Sequence, residues 1–184
     1  IPALRLSARP GIPVFLRKRG LITMIETLSH QTPLGEIVLA AQEDALIGLW
    51  FRGQKYEFAT LKGEQAENPD SALLREAVRW VDAYFEGRRP DPRALSLRPL
   101  GTPFREKVWE QLLNIPYGAT TTYGALAHAL NMPGGAQAVG GAVGHNPISS
   151  IIPCHRVLGT NGSLTGYAGG IERKQALLRL EQGG

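Results

Sequence analysis

Cys154 and His155 stand side by side in "IIPCHRV", residues 151–157, and Cys154 is the only cysteine of a 184-residue chain that has four histidines. A thiol attacks as its thiolate, and with an ordinary pKa of about 8.5 only a few per cent is ionised at pH 7. An imidazole within hydrogen-bond reach, directly or through one water, can take the proton. A carboxylate on the other ring nitrogen fixes the tautomer and stabilises the imidazolium that forms. Neighbouring side chains of a strand point to opposite faces, so cooperation between the two requires a turn or helix start at Cys154, which Pro153 favours. The same dipeptide equally suits a buried structural cysteine beside a chance imidazole, because free cysteine is among the most buried residue types. Taken alone, the pair leaves both readings open.

The elements that must position this pair are legible in outline. "LGEIVLAAQEDALIGLWF" (34–51) predicts a β-hairpin turning near Asp44. "SALLREAVRWVDAYFEG" (71–87) predicts an amphipathic helix capped by Ser71, with Leu74, Val78, Val81 and Phe85 on its apolar stripe and Gly87 past its end. The run "RRPDPRALSLRPLGTP" has four prolines and no sustained period, which places a domain boundary near residue 98. Beyond it, Thr102 and Pro103 open a helix to about Leu113, with Phe104, Val108 and Leu112 on one face. Thr122 caps a short helix ending near Leu130, "NMP" turns the chain, and a helix of Gly, Ala and Val runs from about Pro133 to Gly144. That is a helix-turn-helix outline. "GGIERKQALLRLEQ" predicts a last helix, with Leu177, Leu178 and Leu180 available to pack.

Charge and composition narrow the function classes. The formal charge is +4, but residues 1–23 hold five cations and no acid, and they stop just before Met24. They read as a leader outside the fold. Residues 24–98 have 9 basic and 12 acidic side chains and residues 99–184 have 6 and 4, so the C-terminal half is the better polyanion partner. A single cysteine excludes an internal disulfide and suits a reducing compartment, the cytoplasm or nucleoid. No apolar run approaches the roughly 20 residues of a membrane span. No cofactor motif is present, and His128 and His145 read as surface residues, so no metal is assigned.

The surroundings of the pair are far more specific than the pair. "GHNPISSIIPCHRVLGTNGSLTGYAGG" (144–170) joins Asn146 and Pro147, the Pro153–Val157 core, a Gly-Asn-Gly-like turn, and Tyr167, Gly169 and Gly170. This segment resembles the active site of the O6-alkylguanine-DNA alkyltransferases, the methylated-DNA-protein-cysteine methyltransferases. The resemblance extends over about residues 24–182. It implies an α+β fold: an N-terminal α/β domain (24–98) with an RNase H-like antiparallel sheet, and a helical C-terminal domain (99–184) bearing the helix-turn-helix and Cys154. It implies irreversible, single-turnover transfer of an alkyl group to Cys154 from O6 of a guanine flipped out of the duplex.

On the same resemblance, His155 is the base, acting through a water, Glu181 orients it, and Asn146 shapes the turn and contacts the site. Tyr123 offers its hydroxyl to the guanine or the backbone, and Tyr167, Ala168 and Gly169 wall the base pocket. The partner is double-stranded DNA, met in the minor groove by a helix whose small residues, Ala136, Ala138, Gly140, Gly141 and Ala142, allow close approach. A monomer is expected. Two departures stand out: with one cysteine the chain cannot build the structural zinc site of some relatives, and Gln137 occupies the place of the family's usual arginine. A cysteine hydrolase and a non-enzymatic lesion binder are the competing readings; the first would turn over, and the second would lack the acceptor thiol.

Overall fold

Strands β4 (Gly35–Gln42) and β5 (Ala45–Phe51) form the predicted hairpin, and Glu43 enters its two-residue turn at φ 57°. The computed structural model describes residues 15–16, 21–22 and 24–183. The first two stretches pair as β1 (Phe15–Leu16) and β2 (Leu21–Ile22). The expectation of a leader otherwise lies outside the described residues. Two further strands extend the hairpin: β3 (Ile25–Thr32) runs antiparallel to β4, and β6 (Gln65–Glu67) runs parallel to β3, for a sheet order β5-β4-β3-β6. Reading by periodicity passes over β3, "IETLSHQT", because it is mostly half-exposed and largely polar.

Alternation along β4 and β5 sends side chains to two cores. Ile37, Leu39, Ala41, Leu46, Leu49 and Phe51 join the main core, whereas Ala40, Ile47 and Trp50 pack with Ile25 on the other face. Gly48 is required between them: a Cβ there would stand 1.8 Å from the Trp50 ring. Helix α1 (Ala72–Phe85) covers the main face with Leu74, Ala77, Trp80, Val81 and Tyr84. Its buried stripe is therefore rotated from the predicted one, with Val78 and Phe85 only half-buried. The two large aromatics take the inner face because each has a polar partner there: Trp80 Nε1 donates to Asp91 O (2.9 Å) and the Tyr84 hydroxyl to Glu181 (2.7 Å). Ser71 precedes the helix but does not cap it, since its hydroxyl donates to Glu26 instead.

The C-terminal part is helical. Thr102 Oγ1 accepts from Arg105 N to cap α2 (Pro103–Leu112), and Thr122 Oγ1 accepts from Ala125 N to cap α3 (Tyr123–Ala129). Helix α4 (Ala136–Gly144) starts three residues later than predicted, because Met132–Gly135 closes a turn in which Gly135 N donates to Met132 O. Val139, Ala142 and Val143 face inward, and the Ala142 carbonyl accepts from Trp109 Nε1 of α2 (2.8 Å). Ala142 is thus removed from the exposed small-residue face, which retains Ala138 and Gly141. Short parallel strands β7 (Thr121–Thr122) and β8 (Val157–Leu158) lead α3 past the Cys154 turn, and α5 (Ile171–Glu181) ends the fold. The two parts meet along a seam where Leu49 N donates to Pro147 O and Ser149 N to Leu49 O, both at 2.9 Å. No described helix is long and apolar enough to cross a membrane.

Candidate active site

Cys154–Arg156 forms one 3-10 turn after Pro153, so Cys154 and His155 leave the backbone as they do from a helix, not to opposite faces as in a strand. Both are buried. Asn146, at the end of the α4 turn, organises the approach to this point. Its Oδ1 accepts from Ile148 N (3.0 Å), which fixes the amide orientation. Its Nδ2 then donates to Ile152 O (2.8 Å) and to Cys154 Sγ (3.1 Å). One side chain thereby holds the 146–152 turn and points an N–H at the sulfur. Ser150 within that turn is buried with φ 67°, a conformation that costs a non-glycine residue on the order of 1 kcal/mol or more and tends to mark functional sites.

His155 Nε2 lies 2.6 Å from Glu181 Oε1. Glu181 is buried and is surrounded by donors: Arg156 Nε and Nη2 at 2.8 and 2.9 Å, the Tyr84 hydroxyl at 2.7 Å and Gly118 N at 3.0 Å. Burial by itself would raise the Glu181 pKa, but the hydrogen bonds from His155 and Arg156 outweigh it and hold the carboxylate well below its ordinary range. A carboxylate fixed in that state requires the proton on Nε2. Burial, as the larger effect, lowers the His155 pKa against the pull of Glu181, so the imidazole is neutral and its Nδ1 carries a lone pair. That Nδ1 is buried and has no hydrogen-bond partner among the described residues. Burial likewise pushes the Cys154 thiol up, opposed by the Asn146 hydrogen bond and by Lys174. The resting pair is therefore a thiol and a neutral base.

The remaining predicted residues lie around this centre. The Tyr123 hydroxyl donates to Thr165 O (2.8 Å), on the 159–166 loop that precedes Tyr167. Its ring packs on α4 across Gly140, where an added Cβ would sit 3.6 Å away. Tyr167, Ala168 and Gly169 line a cavity of about 620 Å³ between the 166–170 loop and α4. Burial, and then the charge that Cys154 can carry, push the Tyr167 hydroxyl well up. Gln137 is exposed on α4.

Separate family models match both parts of the chain: the 6-O-methylguanine DNA methyltransferase ribonuclease-like domain over residues 24–99, and the DNA-binding domain of the same family over 103–183. A methylated-DNA--protein-cysteine methyltransferase of Mycobacterium tuberculosis is 44% identical over 160 residues, 86% of this chain and 93% of the relative. The chain belongs to the 6-O-methylguanine DNA methyltransferase family. A Methanosarcina barkeri relative of the same name is 43% identical over 153 residues, 83% of this chain and 94% of its own. Among solved structures, Mycobacterium tuberculosis OGT in complex with DNA superposes with a TM-score of 0.76 at 40% identity, covering 87% of this chain and 93% of that one. The mixed α+β architecture expected from the sequence is the one this methyltransferase adopts.

Three residues of the methyltransferase site escape sequence reasoning. Tyr84 reaches it from α1, and Arg156 clamps Glu181 while its Nη1 donates to Ile115 O (2.6 Å). Lys174 is buried on α5, with Nζ donating to Val157 O and Thr165 O (2.5 and 2.9 Å). Burial lowers its pKa to about 8, and it is the cation that acts on Cys154. A signal for Lys174 existed: Lys174, Leu177, Leu178 and Glu181 share one helical stripe, so two charges flank the leucines on the buried face.

Proposed function

We propose that the protein repairs DNA by direct reversal, taking an alkyl group from O6 of a flipped-out guanine onto Cys154 once, without turnover. The observation that carries this reading is the unclaimed Nδ1 of a neutral His155 whose other nitrogen is locked on Glu181, beside the only thiol of the chain. The thiol proton passes to Nδ1 through a water, and Sγ attacks the alkyl carbon. The carbon–O6 bond breaks, and the proton taken from the thiol passes on from His155, through water, to the guanine, which thereby exchanges its alkyl group for hydrogen. Asn146 Nδ2 and Lys174 favour the developing thiolate, each in a buried setting where such interactions are strongest. Tyr123 and the 167–169 wall hold the base. No cofactor and no metal takes part, and the protein works as a monomer in the cytoplasm.

DNA is met by the outer face of α4, where Gln137, Ala138 and Gly141 are exposed; a Cβ at Gly141 would meet nothing within 4 Å. Small side chains let this helix enter the minor groove, and contacts that ignore base identity suit a repair protein. The deciding experiment is intact mass after incubation with O6-methylguanine duplex. One added methyl, absent in Cys154→Ala, supports the reading. Product formed beyond one equivalent would make the protein a hydrolase, and tight binding with no mass gain would make it a lesion binder.

Gln137 offers a planar amide where an arginine would add charge and reach to hold the base outside the stack. Gln137→Arg is expected to tighten binding to methylated duplex roughly fivefold, about 1 kcal/mol, and to steepen its salt dependence. Transfer from free O6-benzylguanine, which needs no extrusion, should stay as it is. Unaltered duplex affinity in the arginine variant would show that position 137 does not fill the vacated stack.

A further inference from the structure

The cavity beside Tyr167 has a second wall that comes from the other domain. Gly53, Gln54, Lys55 and Tyr56, which follow β5, face the 166–170 loop across it. This segment is built in, not draped over. Gln54 is buried, and its Oε1 accepts from Phe51 N (2.9 Å) and from Ser149 Oγ (3.2 Å), in the turn that Asn146 organises. Lys55 N donates to Ala168 O (3.2 Å), which joins the two walls directly. Tyr56 has φ 61°, a left-handed conformation that a bulky residue adopts only where its surroundings impose it. Its ring stacks on His145 at 4.0 Å between ring centroids and 24° between planes. His145 is held in turn by Nδ1 donating to Gly141 O (2.7 Å). A half-exposed aromatic pair thus stands at the rim of the cavity, between the end of α4 and the N-terminal domain.

We propose that the Gly53–Tyr56 segment, with Tyr56 at its rim, sets the largest alkyl group the site accepts. The inference rests on the alkyl-transfer reading. A methyl group on O6 asks for little space beyond the base itself, whereas a benzyl group adds a whole ring, and the cavity that Tyr56 and Tyr167 both line is open volume beside the expected wall of the base pocket. The Tyr56 ring, half-exposed and stacked on His145, stands on a segment bonded to both the 149 turn and the 168 loop, so moving the segment aside breaks those contacts. Size discrimination by a wall of this kind is commonly on the order of 10-fold or more for a difference of one or a few carbon groups.

The test measures single-turnover transfer to Cys154 by mass from two duplexes, one with O6-methylguanine and one with O6-benzylguanine. Tyr56→Ala is expected to raise the benzyl-to-methyl rate ratio about tenfold, and Tyr56→Trp to lower it. Thermal melts accompany both, and a ratio that moves in opposite directions in two folded variants supports the proposal even if one melts early. A ratio unmoved by either variant overturns it. So does an equal loss of affinity for undamaged and alkylated duplex with the ratio unchanged, which would make Tyr56 a DNA contact. If the parent protein transfers neither group to Cys154, it is the alkyl-transfer reading that fails.

Discussion

A Glu181→Ala protein is expected to be less stable by about 3–5 kcal/mol and to transfer alkyl groups too slowly to measure on the parent's timescale. The stability loss follows from what the carboxylate satisfies. Arg156, His155, Tyr84 and Gly118 all direct donors at it, and Glu181 and His155 are buried. Removing the acceptor strands a buried guanidinium, a penalty well above that of a neutral hydrogen bond. Glu181→Gln is no remedy, because every neighbour is a donor and the amide nitrogen would face one of them. Chemical denaturation at pH 7 measures the effect; a change below 1 kcal/mol would refute the account. The pH dependence has a definite sign. Because the folded pKa of Glu181 is depressed, its contribution is fully present above the ordinary carboxylate range near pH 4 and is lost as pH falls through the lower folded value. The parent should therefore lose stability in acid more steeply than Glu181→Gln.

His155→Ala should reduce the single-turnover rate by roughly 100-fold or more while leaving affinity for methylated duplex within about twofold. The imidazole is buried, whereas Gln137, Ala138 and Gly141 of α4 are exposed, so its loss removes the base and spares the docking surface. Equal losses in rate and affinity would instead indicate collapse of the site. In the parent, the reactive imidazole is the neutral form, and burial lowers its pKa. The rate should accordingly be level through neutrality and fall only below the ordinary histidine value near pH 6.5, as the ring takes a proton. An acid limb centred above that value would contradict the assignment of Nδ1 as the base.

Much of this arrangement is legible in the sequence itself. Thr102 and Thr122 cap α2 and α3 as their positions predict, because capping is a local matter of one hydroxyl and a backbone N–H three residues on. The β4–β5 hairpin was equally clear from its apolar runs. What could not be read depended on distant partners. Ser71 stands at a helix start, yet Glu26, 45 residues away, claims its hydroxyl. The buried stripe of α1 is rotated because Trp80 and Tyr84 find polar partners inside, and the partner of Tyr84 lies 97 residues further along. At the site, Cys154, His155 and Asn146 belong to one short segment and announce themselves together. Glu181 could be inferred from the resemblance, whereas Tyr84, Arg156 and Lys174 acquire meaning only when three elements converge.

The seam at Leu49 has a consequence for how the molecule comes apart. Strand β5 bonds through Leu49 to Pro147 and Ser149, on the segment that carries Cys154, while Tyr84 of α1 reaches the carboxylate on α5. Two domains joined by a mere tether would melt as independent units, each with its own midpoint. Here the sheet and the acceptor turn share backbone hydrogen bonds and one core, so opening either exposes apolar surface of both. The half that the family models treat as a separate domain is thereby part of the same cooperative block as the thiol, and fraying at the sheet edge would be felt at the sulfur as a loss of preorganisation.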